Sequence, residues 1–315
     1  MPSTSPLHTA LVHLGAWLQQ AHYEFTTVTP ATHGRVNARP GADKAHTLRD
    51  VFGWSRPFDA TLLPAAALDA MQAGQLLESH GALFRSKVRF SSLGHMLFAH
   101  SAYPTQGADA VFFGPDTSRF ASLIENTLRQ QPLTQPARIL DVGCGAGPGG
   151  LVAARQTSFS ADVVLADINP QALVYARANA DLNGMANVQC RQGDLYGATD
   201  GLFDLIVANP PYLVDPAGRV YRNGGGNLGT GLGERIVAEG LPRLRAGGQL
   251  LLYTGVPILE GRDPFLEAVA PVLERAGCRF DYRELDPDVF GEELDMPAYA
   301  GADRIAAVAL TVQQH

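Results

Sequence analysis

The chain has 315 residues, of which 46% are hydrophobic and 17% charged, and its net charge is −7. This length and composition exclude disorder over most of the chain and favour two domains. Lys and Arg number 8 against 7 Asp and Glu up to residue 110, and 16 against 24 beyond it. Because proteins that grip long nucleic acid through its phosphates carry a basic surplus, this balance disfavours that class.

The sequence shows few signals for membrane insertion, secretion or metal binding. The sequence has no uninterrupted apolar run of roughly 18 residues, and its first residues lack the cationic and apolar regions of a signal peptide. Cys144, Cys190 and Cys278 show no C-x-x-C spacing, and the histidines show no ligand spacing. We therefore expect a cytoplasmic protein with no membrane partner and no bound metal.

Residues 1–110 are expected to form an accessory domain that recognises the substrate. Hydrophobic spacing predicts helices over residues 9–20, 48–54 and 64–77. The prolines and glycines between residues 29 and 44 predict a loop.

A strand is predicted next, over residues 84–90, because apolar and polar side chains alternate there. The alternation places Arg85, Lys87 and Arg89 together on one basic face. A second strand is predicted over residues 96–101, so that short helices followed by a hairpin give the domain a helical, winged-helix-like character. Such a basic face is either solvated or a contact for phosphate or an acidic partner.

Residues 111–315 alternate between strand and helix patterns, which predicts an α/β domain with a Rossmann-like seven-stranded sheet. Strands are predicted over residues 138–141, 162–167, 188–192, 203–208, 249–254, 279–285 and 304–312. Helices are predicted after Gly147 and over residues 170–183, 233–244 and 263–276. An irregular segment joins the last two strands, which can pair antiparallel at the sheet edge.

A glycine-rich turn closes the first of these strands, in the sequence D-V-G-C-G-A-G-P-G-G from residue 141. Its glycines let the backbone turn tightly beside a ligand at the end of the sheet. Gly145, Gly147 and Gly150 satisfy the G-x-G-x-x-G fingerprint of a nicotinamide dinucleotide site, with Asp167 as the ribose ligand. A nicotinamide enzyme is therefore one alternative.

Two residues favour a different cofactor. Pro148 has no N–H to offer a pyrophosphate at the helix N-terminus, and Asp141 would repel that group. The same carboxylate suits S-adenosylmethionine, whose sulfonium and amino group are cationic. In that arrangement Asp167 binds the ribose hydroxyls, while Asp194 reaches the adenine amino group and Leu195 lies beside the ring.

The fourth strand ends in Asn209-Pro210-Pro211-Tyr212. The prolines stiffen the backbone and remove two donors, which leaves the Asn209 side-chain oxygen and the Pro210 carbonyl as acceptors. Two acceptors can hold both N–H bonds of a planar amino group and turn its lone pair towards a methyl donor, and Tyr212 can stack on the planar group. Catalysis by positioning needs no strong base.

The combination of D-x-G-x-G-x-G with N-P-P-Y resembles the class I S-adenosylmethionine-dependent methyltransferases that modify amino nitrogens. These include the release-factor glutamine methyltransferases and the adenine-N6 enzymes of DNA or RNA. Pro115-Asp116-Thr117-Ser118 is similar to a P-D-T-E segment that helps cover the cofactor in the glutamine enzymes, and Gly224 to Gly229 is similar to their glycine-rich segment. Ser118 departs from the usual Glu.

Together, the residues and the resemblance predict two sets of site residues. The catalytic set is Asn209, Pro210 and Tyr212. The set that binds S-adenosylmethionine is Asp116, Thr117, Asp141, Gly143, Gly145, Gly147, Asp167, Ile168, Asp194, Leu195 and Asn209.

The resemblance covers about residues 111–312 and implies methyl transfer to a planar amide or exocyclic amine of a macromolecule. A protein glutamine side chain is favoured, and an adenine or guanine amine of rRNA, tRNA or DNA stays open. A nicotinamide oxidoreductase and a catalytically silent cofactor-binding module are more remote alternatives. Arg219 and Arg222, beyond the N-P-P-Y segment, are candidate substrate contacts. The near-neutral N-terminal region and the acidic catalytic domain favour a protein partner.

Overall fold

The computed structural model describes residues 5–105, 107–215, 218–219 and 221–315. The helices are α1 (Pro6–Gln20), α2 (Pro30–Asn37), α3 (Leu48–Phe52), α4 (Ala65–Ala73), α5 (Pro115–Gln130), α6 (Pro148–Arg155), α7 (Pro170–Leu182), α8 (Gly231–Gly240) and α9 (Pro264–Arg275). The strands are β1 (Leu77–His80), β2 (Leu83–Ser86), β3 (Val88–Leu93), β4 (Met96–Ser101), β5 (Arg138–Val142), β6 (Asp162–Asp167), β7 (Val188–Gln192), β8 (Phe203–Ala208), β9 (Leu244–Ile258), β10 (Arg279–Asp286) and β11 (Arg304–Gln313).

The chain divides into two compact units. Unit 1 comprises residues 1–119, 145–148 and 170–188, and unit 2 comprises residues 120–144, 149–169 and 189–315. Unit 1 thus contains α7 in addition to the N-terminal elements. A domain boundary between residues 110 and 111 stays a prediction.

The predicted helices of the N-terminal region correspond to α1, α3 and α4. The predicted loop over residues 29–44 is wrong in part, because it contains α2. Thr29 caps this helix by accepting a hydrogen bond from the Thr32 N–H, and Pro30 occupies its first turn. A proline in the first turn costs no hydrogen bond, so its presence marked a helix start and not a loop.

The predicted strand over residues 84–90 is also wrong, because the chain breaks at Lys87 into β2 and β3. β2 pairs with β1 and β3 pairs with β4, each pair antiparallel in its own two-stranded sheet. Arg85 is half-buried and Lys87 is exposed, whereas only 4% of the Arg89 surface is accessible. The expected common basic face therefore does not form, since Arg85 lies in β2, Lys87 lies between the strands and Arg89 lies in β3.

Asn179 of α7 and Asn183, which directly follows the helix, complete the hydrogen bonding of β4 in unit 1. Asn179 Oδ1 accepts from the Ala99 N–H (2.8 Å), and its Nδ2 donates to the Ala99 carbonyl (3.0 Å). Asn183 makes the same pair of bonds to Leu97 (3.2 and 2.9 Å). Because the two asparagines lie one helical turn apart, they match alternate residues of the strand. The helix thereby covers a strand edge whose polar groups need partners.

Unit 2 is built on the seven-stranded sheet that the sequence predicts, in the order β10-β11-β9-β8-β5-β6-β7. β5 is parallel to β6 and β8, and β8 is parallel to β9. β11 pairs antiparallel with β9 and β10, so that β10 is one edge strand and β7 is the other. The central strands are buried on both faces, as apolar runs in parallel sheets are. Their core includes Leu140, Val164, Ile206, Leu250 and Val308.

Within the described part of the chain, none of the helices combines the length and the apolar character that crossing a membrane requires.

Candidate functional site

The predicted site residues of unit 2 meet at one edge of the sheet. The last residues in the parallel register of β5, β6 and β8 are Val142, Ala166 and Ala208. Gly143, Asp167 and Asn209 follow them directly and therefore leave the sheet side by side. The Gly193 N–H donates to the Asp167 carbonyl (3.1 Å), which brings the chain just before Asp194 to the same edge. The carboxyl edge of a parallel sheet is where such folds bind their ligands.

The glycine-rich turn has the backbone conformation that its sequence predicts. Gly143, Gly145 and Gly147 have φ angles of +67°, +53° and +84°. Side chains disfavour this left-handed region, so glycine is required at each position. The Cys144 N–H donates to the Ala166 carbonyl (3.0 Å), which ties the start of the turn to β6. Cys144 is buried, as expected of a small packing residue.

Asp141 of β5 accepts a hydrogen bond from the first turn of α6. Its side chain is 1% exposed, and Oδ2 accepts from the Gly150 N–H (2.8 Å). There is no room for a side chain at Gly150, where a Cβ would lie 2.5 Å from Leu165 Cδ2. Burial, with a smaller contribution from nearby Asp167, raises the pKa of Asp141 to about 7. This carboxyl is therefore poised to change its charge near neutral pH.

Asp167 ends β6 with a polar side chain, and Ile168 follows it with an apolar one. Asp167 is half-buried, and its Oδ1 accepts from the Asn169 N–H (2.8 Å). Ile168 is 53% exposed, which is unusual for a large apolar side chain next to a buried strand. An acceptor beside an exposed apolar surface matches the polar ribose and the flat base of a nucleoside.

Asp194 and Leu195 follow β7. Asp194 is exposed and forms an ion pair with Arg235 of α8, at 3.0 Å between Oδ2 and Nη2. Leu195 is 8% exposed and has a φ of +47°, a strained value for a leucine. The sequence did not reveal Arg235, because its spacing from Asp194 carries no local signal.

The N-P-P-Y segment combines a free amide with a fixed ring. Asn209 is half-buried, and its side chain has no hydrogen bond to any described residue. Pro210 is buried and Tyr212 is 7% exposed. The Tyr212 ring packs edge-on against Phe290, with centroids 5.7 Å apart.

Gly255 supports the other part of the Tyr212 ring. A Cβ on Gly255 would lie 2.3 Å from Tyr212 Cδ2, so only glycine fits between β9 and the ring. Phe290 holds its position with a φ of +55°. Neither residue was predicted, since both come from segments distant in sequence.

The loop after Tyr212 is held by ion pairs. Arg219 binds Asp215 through Nη2 and Nε (2.6 and 2.9 Å), and Arg222 binds Glu293. The hydrogen bond from Arg219 holds the pKa of Asp215 at about 2. The Tyr299 hydroxyl accepts from the Val214 N–H (2.8 Å). Both arginines, which are candidate substrate contacts, thus form ion pairs here, and their contact with a substrate stays a prediction.

Asp116 and Thr117 lie in unit 1, at the start of α5. Asp116 is 4% exposed and pairs with Arg119 (3.1 Å). Thr117 Oγ1 accepts from the Gly114 N–H (3.2 Å). Their part in covering a cofactor stays a prediction. Among the described residues, no group of three His, Cys, Asp or Glu side chains could hold a metal ion.

Comparison with known proteins shows that the chain is similar to methyltransferases. The family model for the methyltransferase small domain matches residues 116–256. The release factor glutamine methyltransferase of Deinococcus radiodurans is 33% identical over 202 residues, which are 60% of this chain and 66% of that protein. The ribosomal RNA small subunit methyltransferase C of Chromohalobacter salexigens is 33% identical over 115 residues, 36% of this chain and 30% of that protein. The matches thus span less than two thirds of either relative.

A solved structure of the complex of aTrm5 and tRNALeu shares the fold, with a TM-score of 0.50 and 14% identity over 74% of this chain and 56% of that one. The fold prediction of a Rossmann-like methyltransferase sheet is confirmed. Residues 116–256 thus match the methyltransferase small domain family, and the resemblance to the class I S-adenosylmethionine-dependent methyltransferases is confirmed.

Proposed function

We propose that the chain transfers a methyl group from S-adenosylmethionine to a planar nitrogen of a macromolecule, and that this nitrogen is the amide of a protein glutamine. The observation that carries the proposal is the position of Asn209. Its amide has no partner among the described residues, and it leaves the sheet beside Gly143 and Asp167. A methyl acceptor and a methyl donor would thus be held by neighbouring strand ends.

The residues present fit S-adenosylmethionine. The left-handed glycines leave the backbone free for close approach, and a Cβ at Gly143 or Gly145 would meet no atom within 4 Å. Asp141 and Asp167 bring negative charge to the same edge, which suits a cation and repels a pyrophosphate. When bound, the cofactor supplies an electrophilic methyl group on a sulfonium. We propose that Asp167 holds the ribose and that Asp194 and Leu195 hold the adenine.

On the acceptor side, the chain acts by positioning. Asn209 Oδ1 and the Pro210 carbonyl accept the two N–H bonds of the substrate amide, which favours a pyramidal nitrogen with its lone pair turned towards the donor. Tyr212, fixed by Phe290 and Gly255, presents a ring to the planar group. Removing the substrate's translational and rotational freedom can contribute about 7–11 kcal/mol to lowering the barrier. The proton leaves after transfer, so no strong base is needed.

The glutamine assignment is supported by the relatives named release factor glutamine methyltransferase, and we propose a protein factor as the substrate. The second candidate is an amine of ribosomal RNA, supported by the match to the small subunit methyltransferase C over a shorter stretch. The net charge of −7 favours the protein. We propose that residues 1–110 select between such substrates.

The test is methylation of defined substrates with methyl-labelled S-adenosylmethionine. The purified chain is incubated separately with a bacterial release factor and with small-subunit ribosomal RNA, and the product is digested with protease or nuclease. We expect label in a glutamine-containing peptide, located by mass spectrometry, and none with Asn209→Ala. Label in a nucleoside would instead establish the RNA activity. Binding of cofactor without transfer to either substrate would contradict the proposal.

A further inference from the structure

Arg89 of β3 is a buried cation in unit 1 that has no carboxylate partner among the described residues. It lies opposite His100 in the β3–β4 register and is 4% exposed. Its Nε and Nη2 atoms are buried and make no hydrogen bond within the described part of the chain. The Phe25 ring covers one face of the guanidinium, 5.3 Å from its central carbon. Burial lowers the pKa of Arg89 to about 10, so the group stays charged at neutral pH.

The two unpartnered atoms are a matched pair. Nε–H and Nη2–H point in parallel from one edge of the guanidinium, and this fork fits the two oxygens of a carboxylate or phosphate. Burying a guanidinium with both donors unsatisfied is costly, and the ring below it offsets only part of that cost. Unit 1 thus contains a buried guanidinium that can donate two parallel hydrogen bonds to an anion.

His33 of α2 provides a third unsatisfied donor. The Asn37 Nδ2 donates to His33 Nδ1 (3.5 Å), because the Asn37 oxygen is occupied by Arg56 Nε (2.9 Å). In the tautomer in which Nδ1 accepts this bond, the ring proton lies on Nε2, which is buried and has no partner among the described residues. Arg89 and His33 are linked by the packed rings of Phe25 and Trp54, whose centroids lie 5.2 Å apart. Burial, with a smaller contribution from Arg89, lowers the pKa of His33 to about 4.

The charge in this region matches a monoanion. His33 is neutral at pH 7, and burial holds the pKa of His100 well below its usual range. His100 is also satisfied, by Ser91 Oγ at 2.8 Å and the Ser101 carbonyl at 3.0 Å. Arg56, the other cation near His33, is already paired with Asp50. One uncompensated positive charge favours a carboxylate over a phosphate dianion.

Aromatic rings complete the surroundings of the donors. The His33 ring lies 4.6 Å from Tyr103 and 5.6 Å from Trp54, centroid to centroid. Both of these rings are partly exposed, whereas Phe25 and Arg89 are buried. We propose that Arg89 and His33, enclosed by these rings, form a binding site for a single carboxylate group of a small organic acid or a peptide. The site is independent of the methyl-transfer proposal.

Trp54 gives a local probe of this site. The chain has two tryptophans, so Trp17→Phe leaves Trp54 as the sole tryptophan, which is excited selectively at about 295 nm. We titrate this variant of the whole chain with benzoate and with benzamide at constant ionic strength. A second pair is a blocked tripeptide with a central glutamate and its glutamine counterpart. We expect saturable fluorescence changes with at least one carboxylate and none with its amide. Benzoate alone indicates a small acid as the source, and a response to the glutamate peptide indicates a peptide.

Variants test whether the response comes from Arg89. Arg89→Met should weaken carboxylate binding about tenfold or more, since it removes two charged hydrogen bonds. Lys87 is exposed and lies two residues before Arg89. Lys87→Met therefore also removes one positive charge, but it should leave the affinity unchanged. Should Arg89→Met fail to fold, Arg89→Lys keeps the charge, loses the fork and should still bind more weakly. The proposal is overturned if no carboxylate outperforms its amide, or if the Arg89 variants bind as well as the parent.

Discussion

Two side chains at the same edge of the sheet differ in how their polar atoms are satisfied. The Asp141 carboxylate accepts a backbone N–H and is buried, whereas the Asn209 amide is half-buried and has no described partner. A satisfied group shapes the site, and an unsatisfied one is available to a substrate. We therefore propose that Asp141 acts on the cofactor side through charge, and that Asn209 acts on the acceptor through hydrogen bonds.

Asn209→Ala should abolish methyl transfer while changing the affinity for adenosylhomocysteine by less than about threefold. The reason is that a contact made mainly in the transition state affects turnover and not cofactor binding. Single-turnover transfer and titration calorimetry measure the two quantities. Wild-type turnover in Asn209→Ala would mean that the N-P-P-Y segment is only a rigid turn.

The pKa of Asp141 predicts a pH effect on cofactor binding. The pKa is raised from 3.8 to about 7, so below pH 7 the site carries a proton that a bound sulfonium must displace. The affinity for S-adenosylmethionine should then fall by about tenfold per pH unit below 7, with less change for the neutral thioether of adenosylhomocysteine. Calorimetry at pH 6, 7 and 8 measures both ligands.

Asp141→Asn is the matched control for this effect. The amide oxygen can still accept from the Gly150 N–H, so α6 keeps its anchor while the titration is removed. We expect a pH-independent ratio of the two affinities in this variant. Equal pH dependence of both ligands in the wild type would show that Asp141 does not sense the sulfonium.

At the scale of elements, α7 holds more than one neighbour in unit 1. Asn179, which is fully buried, bonds to both backbone groups of Ala99 and also donates to the Ala146 carbonyl (2.9 Å). The glycine-rich turn is thus held by a side chain from a helix that follows it in sequence. Gly15 of α1 faces the same helix, where a Cβ would lie 2.5 Å from Leu182 Cδ2.

The approach of α6 to the sheet gives a stability prediction. At Gly150 a Cβ would lie 2.5 Å from Leu165 Cδ2 and 3.2 Å from Asp141 Cβ, so Gly150→Ala should destabilise the fold by about 1–3 kcal/mol. Gly34 of α2 has no atom within 4 Å of such a Cβ, so Gly34→Ala should stabilise by about 0.5–1 kcal/mol. Urea unfolding followed by circular dichroism compares them. Equal effects of the two changes would contradict this account of close packing.

The sequence predicts the sheet of unit 2 well because each parallel strand is a short apolar run between turn signals. The sequence predicts less of unit 1, where contacting residues are distant in sequence or a strand is buried on both faces. All four residues of β3 from Val88 to Ser91 are buried, so alternation could not say which face Arg89 would take. The partners of Tyr212 were missed because they are distant in sequence: Phe290 and Gly255 contact this ring only in the folded chain.

At the scale of the whole molecule, charge bears on the choice of substrate. The net charge is −7, and the burial of Arg89 removes one of three cations expected on a common surface. Arg219 and Arg222 are likewise neutralised by acidic partners. The described surface thus gives little support to a mode of binding dominated by phosphate contacts.

Salt dependence distinguishes the two substrate classes. A protein that makes several phosphate contacts loses about a thousandfold or more in affinity between roughly 50 and 200 mM salt, because neutralised phosphates release counterions. For a folded protein partner, kcat/KM should change by less than about tenfold over that range, since salt mainly slows electrostatically steered association. We expect the smaller effect with a release factor, with the affinity for adenosylhomocysteine measured at each salt concentration as the control. Steep salt dependence accompanied by label in ribosomal RNA would reverse the preference, because transfer would then depend on phosphate contacts that the net charge alone does not predict.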